Sequence, residues 1–216
     1  MPAHPASSRA ETLYRQLRAD ILNGRLKPGS PLRMGALCEA YQVSSGVLRE
    51  ALPRLVGQGL AVSVPQQGYR VVSVSAEDLM HLTEARSTIE ALVLSQSMRD
   101  GGIEWESEVL AAGHLLDNTA YLDGNGDINE EWQEAHGRFH STLLSGCPNP
   151  HLRATAASLR DIAEVYLSWS RRPGEAQSRD IDAEHRAISE RALAHDPHGA
   201  VAALKRHIEL TAQLLL

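Results

Sequence analysis

Aromatic residues are scarce in this chain: one Phe among 216 residues, and Phe, Trp and Tyr together only 4%. A core built on stacked rings is therefore excluded, and the 43% of apolar residues points to aliphatic, helix-rich packing. Cysteine is nearly absent too. Cys38 and Cys147 lie far apart and match no zinc-ribbon or redox spacing, which excludes a disulfide-stapled scaffold and suits two ordinary buried thiols in a reducing compartment. No apolar run approaches the roughly 20 residues that cross a bilayer. The opening "MPAHPASSRA" also lacks the apolar stretch of a signal peptide. These absences lead us to expect a cytoplasmic protein with no membrane partner, opening on a disordered arm over residues 1–9.

What is present is asymmetric. The net charge is −6, but residues 1–74 hold nine Arg or Lys against four Asp or Glu, a net of +5, and the remainder carries −11. A basic front part on an acidic body suggests a polyanion partner for the front alone.

The front part reads as follows. "AETLYRQLRADILN" puts Leu13, Leu17, Ile21 and Leu22 at helical spacing and stops at Gly24. "KPGSP" is a turn. "MGALCEAYQ" gives a short second helix, and Ser44 or Ser45 caps a third through "VLREALPRLVGQG". The period then falls to two: Leu60, Val62 and Val64 alternate, "PQQG" turns and "YRVVSV" returns, a β-hairpin. A helix-turn-helix followed by a hairpin is a winged helix, whose third helix enters the major groove of double-stranded DNA. Candidate DNA contacts are Arg33, Ser44, Ser45, Arg49 and the wing tip at Gln66, Gln67 and Gly68; each taken alone reads more readily as a solvated surface residue, and it is their grouping on one module that points to DNA. Pro53 inside the third helix predicts a kink or an early loosening between Arg49 and Pro53.

From Ser75 the pattern is helical almost throughout. Helices are expected at 75–99, 104–122, 128–144, 150–170, 175–195 and 197–215, broken by "DGG", "DGNGD", "GCPN", "RRPG" and "DP". Six antiparallel helices make a bundle with room for a site. The fold class is thus mainly α: a winged helix-turn-helix over 10–74 and an all-α antiparallel bundle over 75–216.

Within the bundle, "HGRFH" puts His136 and His140 four residues apart, about 40° in direction, on one face of a helix. Two imidazoles so placed can chelate one cation, or can simply be polar members of a core helix beside Phe139. His185 and His207 extend the pattern, each embedded in an apolar stripe on a later helix, where an unbonded ring is costly. Neutral imidazoles on a divalent transition metal would remove that cost. A metalloenzyme using the same four histidines is the contrasting possibility. It needs a placed acid or base, and Glu134 lies about 200° from His136 around the helix.

Residue by residue, "LRADILNGRLKPGSPL", "LCEAYQVSSGVLREAL" and "LVGQGLAVSVPQQGYRVVSV" resemble the winged helix of the GntR family of bacterial transcription regulators. The family often places Arg and then Thr-Pro after the serine that opens the recognition helix; Ser45, Gly46 and Val47 stand there instead, so the operator sequence does not carry over. "HGRFH", "EHRAI" and "KRHIE" resemble, in order, the metal motif of the FCD ligand-binding domain found in FadR-like members. The resemblance implies a homodimeric repressor or activator on a palindromic operator, with His136, His140, His185 and His207 as metal ligands. A small organic acid is the expected effector, completing the open positions of that metal. Many members have Asp where His136 stands. A neutral ring leaves the site at +2, which favours zinc or nickel and prepares it for an anion. Arg86 is a candidate to fork onto the effector carboxylate, the plainer alternative being an i, i+4 ion pair with Glu90.

Overall fold

The structure, a computed structural model, describes residues 8–126, 128–170 and 179–215. They fall into two compact units: residues 8–79 with 160–170, and residues 80–159 with 179–215. Residues 1–7 of the expected arm lie outside the described residues. Its last two residues are ordered: Ser8 caps the first helix, its Oγ accepting from the Glu11 N–H at 3.1 Å, and Arg9 is the first helical residue.

In the first unit, α1 (Arg9–Leu22) buries Leu13, Leu17 and Ile21 and ends before Gly24, whose φ of +72° takes the chain out of the helix. Helices α2 (Met34–Ala40) and α3 (Ser45–Gly57) follow, with Ser44 as the α3 cap. The expected loosening at Pro53 does not occur, because α3 runs on to Gly57. Pro53 and Arg49 both sit on the exposed face, so water can satisfy the Arg49 carbonyl that loses its helical partner.

The wing is a three-stranded antiparallel sheet in the order β1-β3-β2, made of β1 (Pro31–Leu32), β2 (Ala61–Val64) and β3 (Gly68–Val71). Two residues of β1 are too few to show alternation, which is why the sequence reads only a turn there. The hairpin's facing also differs from the alternation: Leu60 and Ala61 are both buried, whereas Val62 is 42% exposed. Leu60 precedes the strand, so it does not share the strand's two-residue phase.

Residues 160–170 of the seventh helix complete this unit. Val165 joins the cluster of Leu13, Leu17, Ile21, Leu48, Leu52 and Leu55. Asp161 takes both Arg18 Nε (3.0 Å) and Nη2 (2.5 Å), and Gly59 lies against Ile162. A boundary drawn at residue 75 from composition could not include this long-range contribution.

The remaining helices are α4 (Ala76–Asp100), α5 (Gly102–Asp117), α6 (Glu130–Ser145), α7 (Pro150–Ser170), α8 (Ile181–Leu193) and α9 (Pro197–Gln213). Helix α5 stops five residues before the expected Leu122, because Asn118 and Thr119 turn back onto the last carbonyls and Leu122 bridges Ile128 instead. Of the expected helix over 175–195, residues 175–178 lie outside the described residues; α8 opens at Ile181 with Asp180 as its cap. The second unit's core joins Leu94, Trp105, Val109, Leu116, Trp132, Phe139, Leu143, Ile188, Leu204 and Ile208. No described helix is long and apolar enough to cross a membrane.

Candidate DNA interface and metal centre

The proposed DNA contacts all lie on the exposed surface of the first unit. Arg33 stands at the N-cap of α2 and makes no side-chain cap bond. Ser44 caps α3, Ser45 is its first residue, and Arg49 projects one turn later. Gln67 and Gly68 form the wing tip, where Gln66 (φ +62°) and Gly68 (φ +85°) make the tight reversal.

Charge engagement separates these arginines from their neighbours. Arg15 and Arg54 are tied to Glu11, Arg18 to Asp161 and Arg25 to Asp20. Arg33 and Arg49 form no ion pair among the described residues and remain available for phosphate or base edges.

In the second unit the structure brings His136, His140, His185 and His207 together, all buried, with one ring nitrogen of each within 4.8 Å of the others. The placement follows from helix periodicity. On α6, His136 and His140 share the inner face with Trp132, Phe139 and Leu143; His185 faces inward with Ile188 on α8, and His207 with Leu204 and Ile208 on α9. His136 Nε2 and His140 Nε2 are 3.2 Å apart. That matches the roughly 3.3 Å edge of a tetrahedron with metal–nitrogen bonds of about 2.0–2.1 Å. His136 also stacks on Trp132, with ring centroids 4.7 Å apart and an interplanar angle of 12°.

Two observations bear on whether these residues suit a cation. Both nitrogens of His185 are buried with no hydrogen-bond partner among the described residues, and burial, then the neighbouring His207, pushes its pKa down to about 2. A buried imidazole that is neutral and unbonded retains a lone pair for coordination. His207 is likewise pushed down by burial, and its Nδ1 meets Glu184 Oε2 at 2.9 Å. Arg179 Nη2 also lies 3.3 Å from Nδ1, but its two hydrogens go to Glu184 Oε2 and the His207 carbonyl, so Nδ1–H donates to Glu184 and the lone pair lies on Nε2. A donor set of four clustered imidazoles fits a borderline divalent metal.

Arg86 sits on α4 and is 8% exposed, its Nε bonded to Glu90 Oε1 at 2.7 Å. The intrahelical pair is thus formed, through Nε alone. The two terminal nitrogens of Arg86 have no partner among the described residues, and its charge acts on His207.

Sequence reasoning missed three neighbours of the cluster. Trp132 could have been found, since it precedes His136 by one turn. Glu184 and Arg179 could not, because their contacts with His207 join residues far apart in the chain.

Comparison with known proteins follows this division. Residues 9–71 match the family described as bacterial regulatory proteins, gntR family, and residues 81–210 match the FCD domain. The HTH-type transcriptional repressor GlaR of Escherichia coli K12 is 35% identical over 198 residues, 90% of each chain. The HTH-type transcriptional regulator BphR of Paraburkholderia xenovorans LB400 is 34% identical, covering 97% of this chain and 86% of its own. Among solved structures, Escherichia coli McbR/YncC superposes with a TM-score of 0.81 over 97% of this chain and 98% of its own, at 20% identity, a likeness of fold.

Proposed function

The chain belongs to the gntR family of bacterial regulatory proteins and carries an FCD domain, and from that premise we propose a cytoplasmic homodimer whose affinity for a palindromic operator answers to a small organic acid bound at a metal. It is a DNA-binding transcription regulator and not an enzyme. His136, His140, His185 and His207 would hold zinc or nickel, and the bound metal would supply a Lewis-acidic positive centre for the effector's carboxylate. Arg86 would take the other side of that carboxylate through its terminal nitrogens. On the operator, Arg33, Ser44, Ser45, Arg49, Gln67 and Gly68 would make the contacts.

The observation that carries the metal reading is His185. The 3.2 Å approach of His136 to His140 would also serve two histidines that satisfy each other, but it leaves both His185 nitrogens buried and unbonded. Leaving polar atoms in that state costs about 1–3 kcal/mol each, and a shared cation would remove that cost for the coordinating nitrogen.

Elemental analysis tests this directly. Dialysed protein is expected to contain about one zinc or nickel per chain, and the His140→Ala variant none. A variant with undiminished metal would remove the ligand assignment. On selected DNA, Arg49→Ala is expected to lose about 1–3 kcal/mol of binding with an unchanged melting profile; equal affinity would take Arg49 off the interface.

A further inference from the structure

The cluster is supported from behind by a chain of polar contacts. Glu184 uses both carboxylate oxygens. Oε1 accepts from Arg179 Nε at 2.6 Å, while Oε2 accepts from Arg179 Nη2 and meets His207 Nδ1 at 2.9 Å. Glu184 engages His207 through Nδ1 and is not one of the four residues that converge, so it stands behind the site and outside the ligand set.

Arg179 is anchored in turn. Its Nη1 donates to Thr211 Oγ1 at 2.9 Å, and Nη2 donates to the His207 carbonyl at 3.0 Å. Thr211 Oγ1 donates to the same carbonyl at 2.7 Å. Asp180, the cap of α8, accepts from the Ala183 N–H at 2.9 Å and holds the turn that presents Glu184. The arrangement joins the backbone of α9, the start of α8 and one imidazole into a single frame.

We propose that Glu184, clamped by Arg179, is a positioning residue for the metal: it holds His207 as the Nδ1–H tautomer, aims the Nε2 lone pair at the other three imidazoles and strengthens it as a donor. This rests on the metal reading above. A metal-bound histidine whose second nitrogen donates to a carboxylate is better oriented and more basic, and losing such a partner costs about 10–100-fold in metal affinity. Arg179 decides which way the carboxylate faces. Without it, no second side chain among the described residues keeps Glu184 from swinging away from His207.

The test uses the full chain. Zinc affinity is measured by competition with a chromophoric chelator, site geometry by the visible spectrum of the cobalt-loaded protein, and the His207 tautomer by long-range proton–nitrogen correlation on metal-free wild type. We expect His207 protonated at Nδ1. Glu184→Ala is expected to weaken zinc about 10–100-fold and shift the cobalt bands. Glu184→Gln, which keeps an acceptor for Nδ1–H without the charge, is expected to recover part of that loss, and Arg179→Met to behave like a milder Glu184→Ala. A His207 protonated at Nε2 in wild type would overturn the proposal without any variant. So would zinc affinity and cobalt bands in Glu184→Ala equal to wild type while His140→Ala has lost the metal; that pairing leaves the metal reading standing. If His140→Ala also binds as wild type does, the metal reading fails first and Glu184 with it.

Discussion

At the scale of single residues, the second unit concentrates its polarity where a bundle core would normally be aliphatic. His136 is held between the stacked Trp132 ring and the other three imidazoles. That contact makes Trp132 an internal reporter: adding nickel or cobalt to metal-free protein is expected to quench tryptophan emission, and Trp132→Phe to lose most of the response. An equal quench in the variant would place the metal elsewhere. In the first unit, Gly59 combines a φ of +75° with a site where an added Cβ would come 2.8 Å from Ile162 Cδ1. Ile162 can shift its end, but the backbone conformation cannot be avoided, so Gly59→Ala is expected to cost upward of about 1 kcal/mol in denaturant unfolding.

At the scale of elements, caps and helix ends fix what the helices present. Asp180 starts α8 just before Glu184 and His185; removing the cap with Asp180→Ala is expected to cost about 1 kcal/mol of stability and to weaken metal binding as well. Helix α7 brings Tyr166 to the start of α4, where its hydroxyl donates to Asp78 Oδ2 at 2.6 Å and accepts from the Ser75 N–H at 3.2 Å. Burial, then the Asp78 carboxylate, pushes the phenol up to about 12. The folded chain therefore holds this proton more tightly than the unfolded one. The resulting stability is complete below about pH 10 and is lost as pH rises through about 12. Ultraviolet titration should find two late-ionising tyrosines, Tyr166 and the Tyr41 phenol that burial and the Asp20 carboxylate also push up, and one fewer in Tyr166→Phe, whose stability should decline less over that range.

At the scale of the whole molecule, a metal bound only by the folded second unit stabilises it by mass action, reaching about 4 kcal/mol at a thousandfold excess over Kd. Removing metal with a chelator is expected to lower the melting temperature by several degrees, at about 2–4 °C per kcal/mol for a chain of this size. Light scattering is expected to give twice the chain mass. Much of this was legible in the sequence, for reasons of period and charge. Helical spacing marked the helices and put His136 and His140 on one face, a drop to period two marked the wing, and the charge split separated a basic front from an acidic body. Local signals of that kind depend on residues a turn or a pleat apart. The tertiary structure decided what depends on distant residues. It gave the third strand of the sheet, the share of α7 taken by the first unit and the Glu184–Arg179 frame behind His207. It also brought together four histidines from three helices, because a side chain's partner across a core is set by how helices pack and not by its neighbours in the chain.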